Sequence, residues 1–280
     1  MLSQAERLRE LKSFFETETK NKTSGKENIF AFVSGKGGTG KTFLSLNIAH
    51  ELAAMNKKVL YADLDLNMAN AHVMLNLNPQ KTISDFLSGR ILIEDLVTRY
   101  NDNLHLILGD SGKSNFFVND TLLKDFISKI KSLKEFDVII LDLAAGAGNN
   151  IFIPLQFCSY VIVTATTEPT SVMDAYAIMK LMMAENLKSK KLILFNKVRN
   201  EEDAATAFNN LNSALFHFLK IESELLGFIN YSSEAYEAVQ SQKLISEDNS
   251  DSDLLFQINQ TALRIIDIIQ LANIHHSSSF

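Results

Sequence analysis

Residues 35 to 42 read Gly35-Lys36-Gly37-Gly38-Thr39-Gly40-Lys41-Thr42. Glycines at 37, 38 and 40 let the backbone come close to a ligand and aim several N–H groups at one chain of phosphates. Lys41 then reaches the outer phosphates, and the Thr42 hydroxyl is offered to a magnesium ion. The flanks match that chemistry. Ile29 to Val33 is apolar throughout and reads as a buried strand, while Phe43 to Ala49 reads as a helix. The helix points its positive end at the same place. Contacts to a nucleotide are therefore expected from Gly35, Gly37, Gly38, Thr39, Gly40, Lys41, Thr42 and Phe43. The plain alternative is a glycine-rich turn with no ligand.

Carboxylates stand at two further strand ends. Lys58 to Asp63 reads as a strand that runs into Asp63-Leu64-Asp65. Ligands of open α/β sheets bind at the carboxyl ends of strands. Near a magnesium nucleotide, Asp63 would support the metal shell and Asp65 would position an attacking water. Strand-end capping or turn chemistry is the alternative for both. Asp137 to Asp142 is another apolar strand, and Asp142 is placed to touch magnesium through a water. Gly146, just beyond it, allows a backbone N–H near the γ-phosphate. Lys36 is surplus to a plain phosphate loop; a solvated side chain is its ordinary reading.

These groups need a sheet to hold them. Strands are expected at 104 to 109, 160 to 165, 191 to 196 and 225 to 230 as well, with helices between them. Helices are assigned to 82 to 89, with Thr82 and Asp85 near the start and Gly89 at the end, and to 120 to 133. Near-continuous apolar strands alternating with helices predict an α/β fold, a mostly parallel sheet covered by helices on both faces. Residues 1 to 16 form an amphipathic helical arm, with Ala5, Leu8, Leu11 and Phe15 on one face. Residues 17 to 28 are a polar linker, 29 to 274 the nucleotide-binding domain, and 275 to 280 a tail. Residues 246 to 253, SEDNSDSD, are expected as a surface loop. The last helix, about 254 to 274, is apolar on Leu255, Ile258, Ala262, Ile265, Ile269 and Ala272. Arg264 and Asp267 offset each other on its polar side, so it is expected to pack on the domain. Membrane-interface contact is the alternative.

Composition narrows the classes. A hydrophobic share of 46 % can supply a core and excludes wholesale disorder. The net charge of −6 gives no bulk support to unspecific DNA binding. Cys158 is the single cysteine. It cannot form an intrachain disulfide, which fits a reducing cytoplasm, and it excludes a protein-only iron–sulfur centre. The start is charged and lacks the apolar core of a signal peptide, and no apolar run reaches membrane-spanning length.

A loop of the form K-G-G-x-G-K-T resembles the deviant Walker A motif of the MinD/ParA ATPases, in which the early lysine, here Lys36, reaches the nucleotide of a second subunit. Three more segments resemble the FlhG branch, also called YlxH or FleN. They are DLDLNMANAHVMLNL at 63 to 77, EPTSVMDAYAIMK at 168 to 180, and QAERLR at 4 to 9, which is similar to that branch's DQAxxLR arm. The resemblance implies a cytoplasmic P-loop ATPase that uses ATP and Mg²⁺ and forms an ATP-dependent homodimer. Its role would be control of flagellar number and placement. The arm, through Gln4, Ala5, Leu8 and Arg9, would stimulate an FlhF-type GTPase. Flagellar switch or transcription-regulator proteins and a peripheral membrane contact are further implied partners; a specific nucleic acid is not. Catalytic roles fall to Lys36, Lys41 and Asp65, metal contacts to Thr42, Asp63 and Asp142, and the adenine side to Asn196. This chain departs from the pattern at Ser3, where the arm has Asp, at Leu143-Ala144 in the second switch, and at Asn230, where a proline is usual near adenine. A ParA-type DNA-partition ATPase, a MinD-type cell-division-site ATPase and a non-hydrolysing adaptor are the alternatives.

Overall fold

The computed structural model describes residues 28–66, 68–109, 119–248 and 252–277. The arm, with Gln4, Ala5, Leu8 and Arg9, and all of the linker except Asn28 lie outside the described residues.

The central strand is β1, Asn28–Ser34; the loop carries it into helix α1, Lys41–Ala54. Strand β2, Val59–Leu64, leads to three short helices: α2 at Ala71–Met74, α3 at Ile83–Leu87 and α4 at Ile93–Leu96. A two-residue strand β3, Thr98–Arg99, turns back into β4, Leu104–Ile107. Then come α5 at Asp120–Ser132, β5 at Val138–Ala145, α6 at Asn149–Leu155, β6 at Tyr160–Ala165, α7 at Pro169–Ala184 and β7 at Lys190–Val198. Helix α8 spans Glu201–Ala214 and widens into a π-helical turn at Leu215–Leu219. The chain closes with β8 at Glu224–Asn230, α9 at Ser233–Ser241, α10 at Ile245–Asp248 and α11 at Asp253–Ser277.

The eight strands form one sheet in the order β3-β4-β2-β5-β1-β6-β7-β8. Every pairing is parallel except the edge pair β3–β4. The expected mostly parallel, doubly covered sheet is therefore present. Its cause is visible along β1. Phe30 and Phe32 belong to the core shared with α1 and α11, while Ala31 and Val33 belong to the core on the opposite face. A strand buried on both faces needs no polar positions, hence the unbroken apolar run. Register sets the carboxylates side by side: Asp63 on β2 is the Cα partner of Asp142 on β5.

Local signals end the elements where the chain requires. Thr82 and Asp85 form the capping box of α3, with the Thr82 N–H donating to Asp85 Oδ2 at 2.9 Å. Asn119 caps α5 and Asn200 caps α8 through their side-chain oxygens. Several boundaries differ from expectation. Asn28 is already strand, and β5 runs on to Ala145 because Leu143 and Ala145 still find partners on β2 and β1. The expected loop at 246 to 253 contains the turn of α10, held because Ile245 is buried and its N–H donates to Asn47 Oδ1 at 2.9 Å.

Helix α11 packs on the domain against α1 and β8. Leu254, Ile258, Ala262, Ile265 and Ile266 are buried, and Arg264 Nη1 donates to the Leu226 carbonyl at 2.7 Å. Cys158 is buried, its thiol donating to the Pro154 carbonyl, and burial pushes its pKa up. Among the described residues no helix is long and apolar enough to cross a membrane.

Candidate nucleotide site

The site lies beyond the carboxyl ends of β1, β2, β5, β6 and β7. Two glycines let the loop nest against its neighbours. Gly40 has φ +85°, and a Cβ there would collide with the Asn196 amide. A Cβ on Gly35 would lie 2.5 Å from the Asp174 carbonyl oxygen on α7. The end of β7 clamps the loop from the other side. Asn196 Nδ2 donates to the Thr39 carbonyl at 2.8 Å, and Lys197 Nζ donates to the Gly38 carbonyl at 2.9 Å. Asn196, expected on the adenine side, thus holds the loop's own backbone.

Lys41 is the first residue of α1, and its ammonium lies 2.6 Å from Asp142 Oδ1; both side chains are buried. Tyr61 on β2 donates its hydroxyl to the other oxygen of Asp142 at 3.0 Å. Burial, with the nearby Asp142 charge, holds that phenol well above its ordinary pKa and therefore protonated. The half-buried Thr42 lies beside Lys41, with 3.4 Å between Nζ and Oγ1.

Asp63 and Asp65 differ in their surroundings. Asp63 is buried, and its oxygens accept three backbone N–H groups, from Asp65 at 3.2 Å, Asn70 at 3.0 Å and Ala71 at 2.9 Å. The carboxylate ties the chain after β2 to the start of α2, the kind of contact that is the alternative to a metal-side role. Burial first, and then the charge of Asp142, push its pKa up to about 7 against the pull of the N–H donors. Asp65 is half-buried and accepts only the Met68 N–H, at 3.0 Å, among the bonds described. The Gly146 N–H, expected to face a γ-phosphate, donates to the Ser34 carbonyl at 2.9 Å, with φ +93° at that glycine. Asn230 donates its N–H to Gln257 Oε1 on α11.

Lys36 is not simply solvated. Its ammonium meets Glu168 Oε2 at 3.4 Å and Thr170 Oγ1 at 3.3 Å, both at the start of α7. Beside this contact a cavity of about 1480 Å³ opens between α7 and α8, walled in part by Glu168, Met173, Lys197, Arg199 and Tyr231. Tyr61, Glu168 and Lys197 carry contacts that motif reading does not assign. Glu168 falls within the 168 to 180 segment, and the two-residue period of β2 places Tyr61 on the face of Asp63.

The residues fit a magnesium-bound polyphosphate. The hydroxyls of Ser34, Thr39, Thr164 and Thr166 are buried with no hydrogen-bond partner among the described residues, and all four sit in the loop or at the ends of β1 and β6. Orphaned buried hydroxyls are costly unless a ligand or water satisfies them. No cluster of three or more His, Cys, Asp or Glu side chains able to hold a metal exists among the described residues. Magnesium keeps several waters and borrows oxygens from substrate phosphates. Thr42 and Asp142 are the residues placed to assist.

Residues 30–245 match the model of the CobQ/CobB/MinD/ParA nucleotide binding domain. The chain is 29 % identical over 221 residues to the antiactivator FleN of Pseudomonas aeruginosa, covering 78 % of this chain and 79 % of that one. It is 28 % identical over 254 residues to the flagellum site-determining protein YlxH of Helicobacter pylori, covering 88 % and 84 %. These names agree with the FlhG-branch resemblance of the sequence. The septum site-determining protein MinD of Pyrococcus horikoshii, solved with Mg-ADP, superposes with a TM-score of 0.74 at 22 % identity, over 89 % of this chain and 98 % of that one. At that identity the likeness concerns the fold.

Proposed function

Because the chain belongs to the CobQ/CobB/MinD/ParA nucleotide-binding family, we propose that it is a magnesium-dependent ATPase. Its ATP-bound form is a homodimer, and hydrolysis resets it. The observation that carries the reading is the buried Lys41–Asp142 pair at the mouth of the glycine loop. A lysine and a carboxylate drawn together where an anion and a cation would sit are poised to part towards them. Lys41 turns to the outer phosphates, and the loop's N–H groups hold the rest of the chain of phosphates. Magnesium, when bound, neutralises charge on the phosphate oxygens; Thr42 and, through water, Asp142 are the residues that hold it. Asp65 orients the attacking water and has lone pairs to spare, whereas Asp63 anchors the segment that carries it. Lys36 leaves Glu168 and Thr170 and reaches the nucleotide of a second subunit, which makes turnover depend on dimerisation.

The biological reading is control of flagellar number and placement in the cytoplasm. It is supported by the similarity to FleN and YlxH over most of the chain and by the arm sequence at 4 to 9. The arm is assigned to an FlhF-type GTPase as its partner, and residues 17 to 28 to the linker that tethers it. The test is hydrolysis of ATP as a function of protein concentration with magnesium present. Specific activity is expected to rise with concentration, and Lys41→Ala is expected to abolish nucleotide binding. Nucleotide-dependent dimers without turnover would make the protein an adaptor instead. Salt-sensitive DNA binding by the ATP form would favour a partition ATPase.

A further inference from the structure

We propose that Tyr61 is a positioning residue for Asp142: its phenol holds one carboxylate oxygen so that the other faces the nucleotide. The inference deepens the ATPase reading and rests on it. In the register of β2 and β5, Tyr61 is the partner of Ile140, and Asp63 is the partner of Asp142. Side chains two apart on a strand share a face, so Tyr61 lies diagonally beneath Asp142, within reach of a long aromatic side chain. The ring is fully buried. Its hydroxyl donates to Asp142 Oδ2 at 3.0 Å, and Ser45 Oγ on α1 lies 3.3 Å from the same hydroxyl. One atom thus joins the loop's helix, the strand after it and the strand that carries the metal-side carboxylate.

The consequence follows from counting donors. Asp142 has Lys41 on Oδ1 and Tyr61 on Oδ2. When Lys41 turns to phosphate, Oδ1 is released and Tyr61 remains. A carboxylate turns easily about its terminal bond, whose torsion is broad. The phenol removes that freedom and leaves Oδ1 as the oxygen presented to a metal-bound water. Packing alone does not call for the hydroxyl, because a phenylalanine would fill the same space in this apolar core. A buried tyrosine hydroxyl needs a partner, and here that partner is Asp142, whose carboxylate bonds among the described residues come from the Lys41 and Tyr61 side chains.

The test uses the full-length protein and the Tyr61→Phe variant, with Ser45→Ala as the comparison. Binding of a fluorescent ADP analogue is measured in EDTA and then across a magnesium titration, alongside thermal melting. Tyr61→Phe is expected to bind the analogue in EDTA within about twofold of wild type. The magnesium concentration that gives half of the tightening is expected to rise about tenfold, in the range seen when a group behind a metal ligand is lost. Ser45→Ala, which removes a contact to the phenol and a bond to the Thr42 carbonyl but none to the carboxylate, is expected to stay within about twofold throughout. An unshifted magnesium midpoint in Tyr61→Phe, with the wild-type response normal, overturns the role of Tyr61 alone. An equal shift in Ser45→Ala, or loss of binding in EDTA by Tyr61→Phe, assigns the effect to packing and also overturns it. No magnesium response in the wild-type protein overturns the ATPase reading, and this inference with it.

Discussion

Lys36 and Glu168 are 132 residues apart and meet across the mouth of the loop, Nζ to Oε2 at 3.4 Å. The lysine proposed to serve a second subunit is held by its own chain, at the first turn of the helix that also presses on Gly35. A partly exposed pair of this kind is worth about 0–1 kcal/mol. Glu168→Gln is therefore expected to lower the ATP concentration needed for half-dimerisation by a few-fold, with monomer binding of ADP unchanged. Lys36→Ala is expected to bind ATP as a monomer and to lose dimer-dependent hydrolysis. Sedimentation with ATP, and turnover measured beside it, check both. Wild-type hydrolysis by Lys36→Ala would remove the deviant-loop reading.

The raised pKa of Asp63 gives stability a pH dependence with a definite sign. Burial and the Asp142 charge lift it from 3.8 to about 7. A carboxyl that binds its proton more tightly folded than unfolded adds stability fully present below about pH 4 and lost as pH rises towards 7. By linkage the loss is on the order of 4 kcal/mol. Asp63→Asn removes that titration. Unfolding free energies of wild type and variant, taken between pH 4 and 8, are expected to show a downward slope in their difference that flattens above pH 7. A parallel pair of curves would show that the carboxyl titrates at its ordinary value.

The sheet was legible because β1, β2, β5, β6 and β7 are buried on both faces and so carry unbroken apolar runs. The loop was legible from spacing alone. The contacts these side chains make within the chain were not, since Glu168 reaches Lys36, and Lys197 reaches Gly38, only after distant elements pack. Strand β3 escaped notice because two exposed residues have no period. For Asp63 the sequence allows both a metal-side role and turn chemistry, and the three N–H groups it accepts come from Asp65, Asn70 and Ala71. Tyr61 stands in the sequence as an aromatic within an apolar strand, and it is the β2–β5 register that brings it to Asp142.

Helix α11 is docked by its apolar face, and Asn259 Nδ2 adds a bond to the buried Glu51 of α1 at 3.0 Å. Among its described side chains Leu271 and Ile274 are the large exposed apolar ones, and Arg264 brings the only arginine or lysine in 253 to 277. Interfacial helices rely on a basic face. ATP-loaded protein is expected to bind anionic vesicles weakly. Leu271→Glu with Ile274→Glu is expected to change this little and to leave melting unchanged. Strong flotation of wild type with vesicles, lost in the double variant, would show that the end of α11 enters the interface.

The proposed arm would distinguish a flagellar regulator from its relatives. Residues 2 to 15 carry Ala5, Leu8, Leu11 and Phe15 at helical spacing, with Gln4 and Arg9 near the polar edges of that stripe. A tethered amphipathic helix can enter a groove on another protein, and the proposed groove belongs to an FlhF-type GTPase. There Arg9 would anchor the helix by a charge-assisted bond, and Gln4 would order the nucleotide or a water. A peptide of residues 1 to 20 is expected to raise GTP hydrolysis by the cognate GTPase without the ATPase domain. Gln4→Ala is expected to reduce that stimulation while ATP hydrolysis by the full chain stays the same. Ser3 stands where the branch has Asp; both residues cap helices well, so Ser3→Asp should change the stimulation little if capping is its role. No stimulation by peptide or full-length protein, at concentrations well above the GTPase, would remove the arm's assignment and leave the nucleotide-binding family membership standing.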